Sequence, residues 1–548
     1  MTTPLLYGPI AVIGAGTMGI GIAQVAAQAG HSVLLFDVNG EAVNHALDHL
    51  RARLHQRVAA GKAESGPTDT LLQHITPVNS LQALAPCALV IEAIVEQLAA
   101  KQHLFQQLEA ICSNQTLFAS NTSSLSITAI ARVLSAPQRM AGLHFFNPAP
   151  LMKLVEIVQG LETSSQTVET LKDLVIHWQK QPVLCRSTPG FIVNRIARPF
   201  YAEALRALEE QVATPATLDA VLKESGGFAM GPLQLMDLIG HDVNYAVTES
   251  LFHAFHGDPR FQPSLRQKEL VDADHLGRKR GRGFYSYDEQ GNRAKKERAP
   301  QPKTEPKQTG KQTPTVRIKA TGNWAVLPHF AALLQQPEQQ QYGIIFEQSK
   351  HDRFHSPTLQ IDDIILTLTK GRTCAQIADE IRIPVMQFDL SANHQSASII
   401  TLSTACQNPP PQTAKVIGFL QSLNKQVILL PDYPGLLTMR TVAMLCNEAL
   451  DAINKGIASA EDIDLAMCHG VNYPIGPLTW GERLGWKHIL STLENLQKFY
   501  GEPRYRPAPL LRQLAAGHAR LSTRFSQPST QSLRQQAENH QKGDPHAR

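Results

Sequence analysis

The chain has no two cysteines in a C-x-x-C arrangement; its seven cysteines are scattered and odd in number. That argues against a disulfide framework and a thiolate metal site, and it fits reduced thiols in a cytoplasmic setting. No uninterrupted apolar run reaches the roughly 20 residues that a membrane-spanning helix needs. The opening MTTPLLYGPIAVIGAG has no cationic stretch ahead of its apolar residues, so no secretory leader is read there. Charge of either sign is nearly balanced, at a net +4 over 548 residues. An extended polyanion such as a nucleic acid is therefore not an expected partner, although a local basic patch for a phosphorylated ligand is compatible with it.

What is present is core-forming material. Hydrophobic residues make up 43 % and charged residues 18 % of a chain long enough for several domains. Residues 1–186 alternate apolar strand-like runs with helical stretches, the pattern of a parallel α/β sheet. Strands are expected over 9–13, 32–36, 88–91, 116–119, 140–145 and 153–158. Residues 187–287 carry long helical periodicity and end in the glycine-rich GRKRGRGFYSY. Residues 288–316 are rich in Lys, Gln and Pro and read as a flexible linker. Residues 317–430 return to short apolar runs, a smaller α/β unit with no glycine fingerprint. Residues 431–525 are helical again, and the polar tail 526–548 reads as disordered.

The two helical stretches are copies. Thr188–Gly240 aligns without a gap on Tyr433–Gly485: PGFIVNR matches PGLLTMR, Glu203-Ala204-Leu205 matches Glu448-Ala449-Leu450, and Gly231-Pro232 matches Gly476-Pro477.

Gly14-Ala15-Gly16-Thr17-Met18-Gly19 is a G-x-G-x-x-G loop that follows the apolar run IAVI and opens a helix of small residues. In that context the first glycine permits a tight turn, the second lets a pyrophosphate approach a helix N-terminus, and the third allows close helix–strand packing. The next strand ends in Asp37. An acid there accepts hydrogen bonds from both ribose hydroxyls and repels a 2′-phosphate, which selects NAD over NADP. The alternative, a glycine-rich turn that binds nothing, would leave the strand, helix and acid at this spacing unexplained.

In an open parallel sheet, ligands sit beyond the carboxyl ends of the strands. Glu96 lies just past one strand end, Ser120, Asn121, Thr122 and Ser123 past another, and His144 at a third, with Asn147 in the turn that follows. The chain returns through MKLVEIV, which carries Glu156. A histidine beside a carboxylate can take a hydroxyl proton while the carboxylate fixes its tautomer. Spacing alone leaves two readings open, a base or a structural strand-end histidine. Ser123 and Asn121 read equally as caps of the next helix. Asn194 follows Pro189-Gly190 in a helix start; the second copy has Met439 there, so the fold does not demand an amide.

Together the runs VIGAGTMGIGIAQVAAQAGHSVLLFD, IEAIVE, FASNTSSLSI, AGLHFFNPAPLMKLVEIV, TPGFIVNR and GRGFYSY resemble the 3-hydroxyacyl-CoA dehydrogenase family, over roughly residues 8–287. The resemblance implies a Rossmann domain followed by an all-α domain that completes the site and mediates dimers. It implies NAD as cofactor and a 3-hydroxyacyl-CoA as substrate, in fatty acid or aromatic catabolism. His144 takes the place of the family's base, Glu156 that of its partner, and Ser123 and Asn194 those of groups that contact the substrate. Glu96, Lys101, Asn147 and Lys279 fall at positions that contact NAD in relatives, with the Gly14–Gly19 loop and Asp37. Coenzyme A would lie partly on a basic helical arm, with Arg57 and Lys62 as candidates; the same arm reads equally well as a solvated charged helix. A duplicated helical domain with an α/β remnant between the copies is similar to the phenylacetate-degradation branch, whose members oxidise 3-hydroxyadipyl-CoA. The remnant has no HFFNP-like run, so one site per chain is expected, and the second helical copy is expected either to pair with the first within the chain or to leave a homodimer. Two other readings stand beside this one: a dehydrogenase of a free 3-hydroxy acid, and a non-catalytic NAD-binding relative.

Overall fold

Short runs of β-branched and leucine residues become the centre of the first sheet. A computed structural model of the chain describes residues 8–61, 64–294, 318–336, 344–346, 356–517 and 521. Its first eight strands are β1 (Ile10–Ile13), β2 (Val33–Phe36), β3 (Ile75–Pro77), β4 (Leu89–Glu92), β5 (Leu117–Ser120), β6 (Met140–Phe145), β7 (Leu154–Gln159) and β8 (Gln181–Arg186). They form one sheet in the order β3-β2-β1-β4-β5-β6-β7-β8. Neighbours are parallel except β6 and β7, which are antiparallel. β1, β4 and β6 are buried along their whole length, as strands covered on both faces must be. Chain order reverses on either side of β1, which opens a crevice at the carboxyl ends of the strands. Two strands have no counterpart among those expected from sequence. β3 is three residues long and ends in proline, and β8 alternates buried and exposed positions at the sheet edge.

A helical region follows. Its GRGFYSY segment is wound around one buried carboxylate: Asp237 accepts from the amides of Phe284 and Tyr285 and from the Tyr287 hydroxyl, at 2.9–3.0 Å. Residues 288–294, expected to begin a linker, instead fold back. The Asp288 carboxylate holds the Asn292 amide at 2.7 Å, the Ala294 amide bonds the Ser286 carbonyl at 2.8 Å, and Arg293 stacks over the Tyr285 ring at 3.6 Å. The remainder of that expected linker and the tail 526–548 lie outside the described residues.

The second sheet runs β10-β9-β11-β12-β13-β14-β15, with β9 at Ile318–Thr321, β10 at Ile345–Phe346, β11 at Thr358–Ile361, β12 at Ile364–Leu368, β13 at Val385–Phe388, β14 at Ile399–Thr404 and β15 at Gln426–Leu430. The repeat visible in the helical sequences continues into these strands. β6, β7 and β8 begin at 140, 154 and 181; β13, β14 and β15 begin at 385, 399 and 426, the same 245-residue offset. Directions agree as well, antiparallel and then parallel. At that offset His144 corresponds to Asp389 and Glu156 to Thr401.

The two helical copies pack against each other through reciprocal buried ion pairs. Arg195 of the first binds Glu448 and Asp451 of the second, both at 2.6 Å. Arg440, its counterpart, binds Glu203 of the first at 2.8 Å. Each helical copy also touches the other half's sheet: the Ser391 hydroxyl bonds the Ser225 carbonyl at 2.7 Å, and the Arg186 amide bonds the Ile457 carbonyl at 2.8 Å. Arg440 and Glu203 both have no exposed side-chain surface. Glu203→Ala would strand a buried guanidinium and is expected to destabilise the chain by about 3–5 kcal/mol, read by equilibrium urea unfolding. A loss under ~1 kcal/mol would show that these pairs do not hold the copies together.

Candidate active site

The glycine loop closes between β1 and the Thr17–Gln28 helix. Gly14 has φ of +103°, and a Cβ there would sit 2.5 Å from the Ala93 carbonyl oxygen. A Cβ at Gly19 would fall 1.7 Å from the Gly14 carbonyl oxygen, which permits only glycine at that crossing. Gly16 is different: it is exposed and a Cβ would meet nothing within 4 Å. Gly16 caps a helix whose N-terminus has no side-chain cap and no acid in its first turn. Ala15 is buried, Thr17 exposed and Met18 half-buried. The loop therefore fits a dinucleotide pyrophosphate, which would lie against bare amides at the positive end of the helix. Asp37 ends β2, and its Oδ2 accepts from the Ala15 amide at 2.7 Å. The bond ties the acid to the loop, and its Oδ1 takes the Asn39 amide at 2.9 Å.

Two carboxylates and one lysine brace the next strand ends. Glu92, at the end of β4 and fully buried, accepts from Lys101 Nζ and Ser120 Oγ, each at 2.6 Å, and from the Ile94 amide at 2.7 Å. Lys101, only 1 % exposed, also reaches Glu96 at 3.2 Å. Glu96 in turn accepts from the Thr122 hydroxyl at 2.6 Å, the Ser124 hydroxyl at 2.9 Å and the Ser123 amide at 3.0 Å. Burial pushes the Glu96 carboxyl up, but the Thr122 hydrogen bond, the Lys101 charge and the Ser124 hydrogen bond outweigh it, and the net shift is downward from 4.5. The Ser123 hydroxyl caps no helix; Ser126 does that, accepting from the Ala129 amide at 3.2 Å. Asn121 is not a cap either. Its side-chain oxygen takes the Phe145 amide at 2.8 Å and so fastens β5 to the end of β6 beside His144.

His144 and Glu156 are direct partners across the antiparallel β6–β7 pair. His144 Nδ1 lies 2.6 Å from Glu156 Oε2. A carboxylate can only accept, so Nδ1 carries the proton and Nε2 is left with its lone pair. The imidazole is 6 % exposed, flanked by the rings of Phe146 and Phe191 at 4.6 and 5.7 Å. The second Glu156 oxygen accepts the backbone amides of Ile192 and Val193, both at 3.0 Å. Those amides belong to the turn that places half-buried Asn194, so one carboxylate orients the histidine and seats the helical region.

Not every expected residue joins this cluster. Asn147 is exposed in the turn after β6. Lys279 lies in the helical region, exposed and paired with Asp242 at 2.6 Å, and makes no hydrogen bond to the strand-end groups. Arg57 is exposed in the last turn of the Gly40–Ala59 helix, and Lys62 lies outside the described residues. Glu92 is a support of the site that the sequence reading does not include, and Asn121, read there at the strand end, supports it by holding the Phe145 amide. The signal for Glu92 was available, since LVIE places an acid at a strand end inside an apolar run. No cluster of His, Cys, Asp and Glu suited to a metal ion is present among the described residues.

A dinucleotide loop joined to a buried histidine–carboxylate pair defines a nicotinamide-dependent dehydrogenase class. The family described as 3-hydroxyacyl-CoA dehydrogenase, NAD binding domain, matches residues 9–188. The corresponding C-terminal domain matches 190–287 and again 435–524. A reduced Rossmann-fold domain of 3-hydroxybutyryl-CoA dehydrogenase matches 366–434. The chain is 49 % identical to a 3-hydroxyadipyl-CoA dehydrogenase of Escherichia coli (strain K12), over 92 % of this chain and 97 % of that one. It is 42 % identical to a probable 3-hydroxybutyryl-CoA dehydrogenase of Bacillus subtilis (strain 168), over 51 % of this chain and 97 % of that one. A crystal structure of 3-hydroxybutyryl-CoA dehydrogenase from E. coli K12 matches with a TM-score of 0.79 at 47 % identity, covering 93 % of this chain and 98 % of that one. The chain belongs to the 3-hydroxyacyl-CoA dehydrogenase family. It is an oxidoreductase that uses NAD to oxidise a 3-hydroxyacyl-CoA.

The lowered Glu96 carboxyl gives a pH-dependent expectation. A carboxyl depressed by folding stabilises fully above its unfolded value, here 4.5, and that contribution is lost as pH falls through the lower folded value. Glu96→Gln should flatten the stability-against-pH curve of the protein below pH 4.5. Retention of the wild-type slope there would contradict the assignment.

Proposed function

We propose that His144 is the base that removes the proton of the 3-hydroxyl while Glu156 holds its tautomer. The observation that carries this reading is the 2.6 Å Nδ1–Oε2 contact, which leaves Nε2 as the nitrogen able to accept a proton. Bound NAD supplies the hydride acceptor for C3. The chain's own residues do the rest. Gly14, Ala15, Gly16, Thr17, Met18 and Gly19 would seat the pyrophosphate, and Asp37 the adenosine ribose. Glu96, Lys101, Asn147 and Lys279 would contact the cofactor, with Lys279 first leaving Asp242. Ser123 and Asn194 would orient the hydroxyl and the thioester, and Phe146 and Phe191 keep water from the imidazole. Arg57 and Lys62 are the proposed coenzyme A contacts. Loss of the hydride from C3 and of the proton to Nε2 leaves the 3-oxo thioester.

The proposed substrate is a short dicarboxylic 3-hydroxyacyl-CoA, supported by the name and the 49 % identity of the E. coli relative. One site per chain is proposed, because Asp389 and Thr401 stand at the positions of His144 and Glu156. The reciprocal Arg195–Glu448 and Arg440–Glu203 pairs favour the second helical copy as the first copy's partner within the chain. The seven free thiols and the lack of a helix apolar enough to cross a membrane among the described residues agree with a cytoplasmic setting.

His144→Gln is expected to lower kcat by about 10²–10⁴-fold, the usual span for removal of a general base. NADH formation from 3-hydroxybutyryl-CoA measures it, with circular dichroism to show that the variant folds. A folded variant within a few-fold of wild type would refute the assignment.

A further inference from the structure

One cavity in the helical region carries a cation with no carboxylate partner among the described residues. It encloses about 550 Å³ in the helical region, along the Arg198–Glu209 helix and beneath the Pro259–Phe261 turn. Five arginines line it. Four have carboxylate partners: Arg206 binds Glu210 and Glu502, Arg260 binds Asp258, Glu448 and Asp451, Arg266 binds Glu269, and Arg504 approaches Glu502. Arg198 has none among the described residues. It is 5 % exposed, its Nε donates to the Asn194 carbonyl at 2.9 Å, and Nη1 donates to the Thr248 hydroxyl at 3.2 Å. Its guanidinium stacks over the Tyr201 ring at 4.8 Å, and Nη2 has no hydrogen-bond partner among the described residues. Burial lowers the Arg198 pKa, with Tyr201 and Tyr473 opposing. A guanidinium held this way is under-compensated, and a planar carboxylate is the anion its fork matches.

Position says which carboxylate. Arg198 follows Asn194 by four residues, across the turn at Ala197 between the Val193–Ile196 and Arg198–Glu209 helices, and its Nε bond to the Asn194 carbonyl at 2.9 Å sets the guanidinium beside the residue proposed to orient the thioester. A six-carbon dicarboxylic chain extends three C–C bonds beyond C3, about 4 Å at about 1.5 Å per bond. A charged hydrogen bond of about 2.8 Å would join that carboxylate to the guanidinium. The acids that also line the cavity do not compete for Arg198: Glu209 lies three turns away and takes the Ser264 hydroxyl, and Glu269 is paired with Arg266.

We infer that Arg198 is the receptor for the terminal carboxylate of a six-carbon dicarboxylic 3-hydroxyacyl-CoA, and so a residue that sets substrate choice. The inference rests on the proposed orientation of the thioester by Asn194. A methyl-ended chain of the same length would leave the guanidinium bare and gain nothing from it.

The test compares kcat/KM for 3-hydroxyadipyl-CoA and 3-hydroxyhexanoyl-CoA, which differ only in carboxylate against methyl at the chain end. Wild type should favour the dicarboxylic substrate by about 10- to 100-fold, the span of a hydrogen bond to a charged group. Arg198→Met should bring that ratio to one or below. Arg198→Lys, which keeps the charge without the fork, should retain part of the preference and serves if the methionine variant does not fold. A wild-type ratio near one, a ratio unchanged in Arg198→Met, or a parallel fall for both substrates overturns the inference while the dehydrogenase reading stands. A wild type that oxidises no 3-hydroxyacyl-CoA overturns both.

Discussion

Glu156 is buried with no exposed surface, and its two oxygens serve different parts of the molecule. One holds His144 Nδ1 across a strand pair; the other takes two amides at the start of the helical region. A buried carboxylate is tolerable only when every lone pair is engaged, so histidine orientation and the seating of the two regions are coupled through a single side chain. Loss of either set of bonds leaves an uncompensated charge at the base of the cleft. The glycine loop, the Glu92–Lys101–Glu96 brace and Asn121 then align the neighbouring strand ends to the same edge.

The second half shows what remains when that requirement is relaxed. Asp389, at the position of His144, accepts the amides of Thr438 and Met439 at 2.7 and 2.8 Å and seats the second helical copy as Glu156 seats the first. Its burial pushes its carboxyl up to about 6. The seating function has moved by one strand and the histidine is gone. What the second copy retains is its packing surface. Arg440 and Glu448 mirror Arg195 and Glu203, so the two copies meet through a pseudo-two-fold set of buried pairs. Buried pairs of this kind add little net stability but penalise any arrangement that separates the charges.

Much of this could be read from residue order. The glycine loop, Asp37, the strand-end position of His144 and the place of Glu156 on the returning strand follow from local pattern, because turn chemistry and strand periodicity are short-range properties. The helical repeat was legible because its Gly-Pro and Pro-Gly turns are constrained by backbone geometry and its Glu-Ala-Leu runs carry the buried acids that pair the two copies. The same 245-residue repeat in β13–β15 was not, since a buried strand accepts any β-branched or leucine side chain and keeps no identities. β3 and β8 were hidden by proline and by edge exposure. Arg198 was hidden for another reason: nothing in RIARPFY shows that one arginine has carboxylate partners and the next has none. That depends on what the fold brings to each, a long-range fact.

Glu156 is the shared support of the proposed base and of the turn that places Asn194. Single-turnover oxidation of 3-hydroxybutyryl-CoA by Glu156→Gln, with NADH affinity measured on the same preparation, tests it directly. The expected result is a turnover rate lower by at least about 100-fold, with NADH affinity little changed because the glycine loop and Asp37 stand apart from Glu156. A rate within a few-fold of wild type would contradict the account.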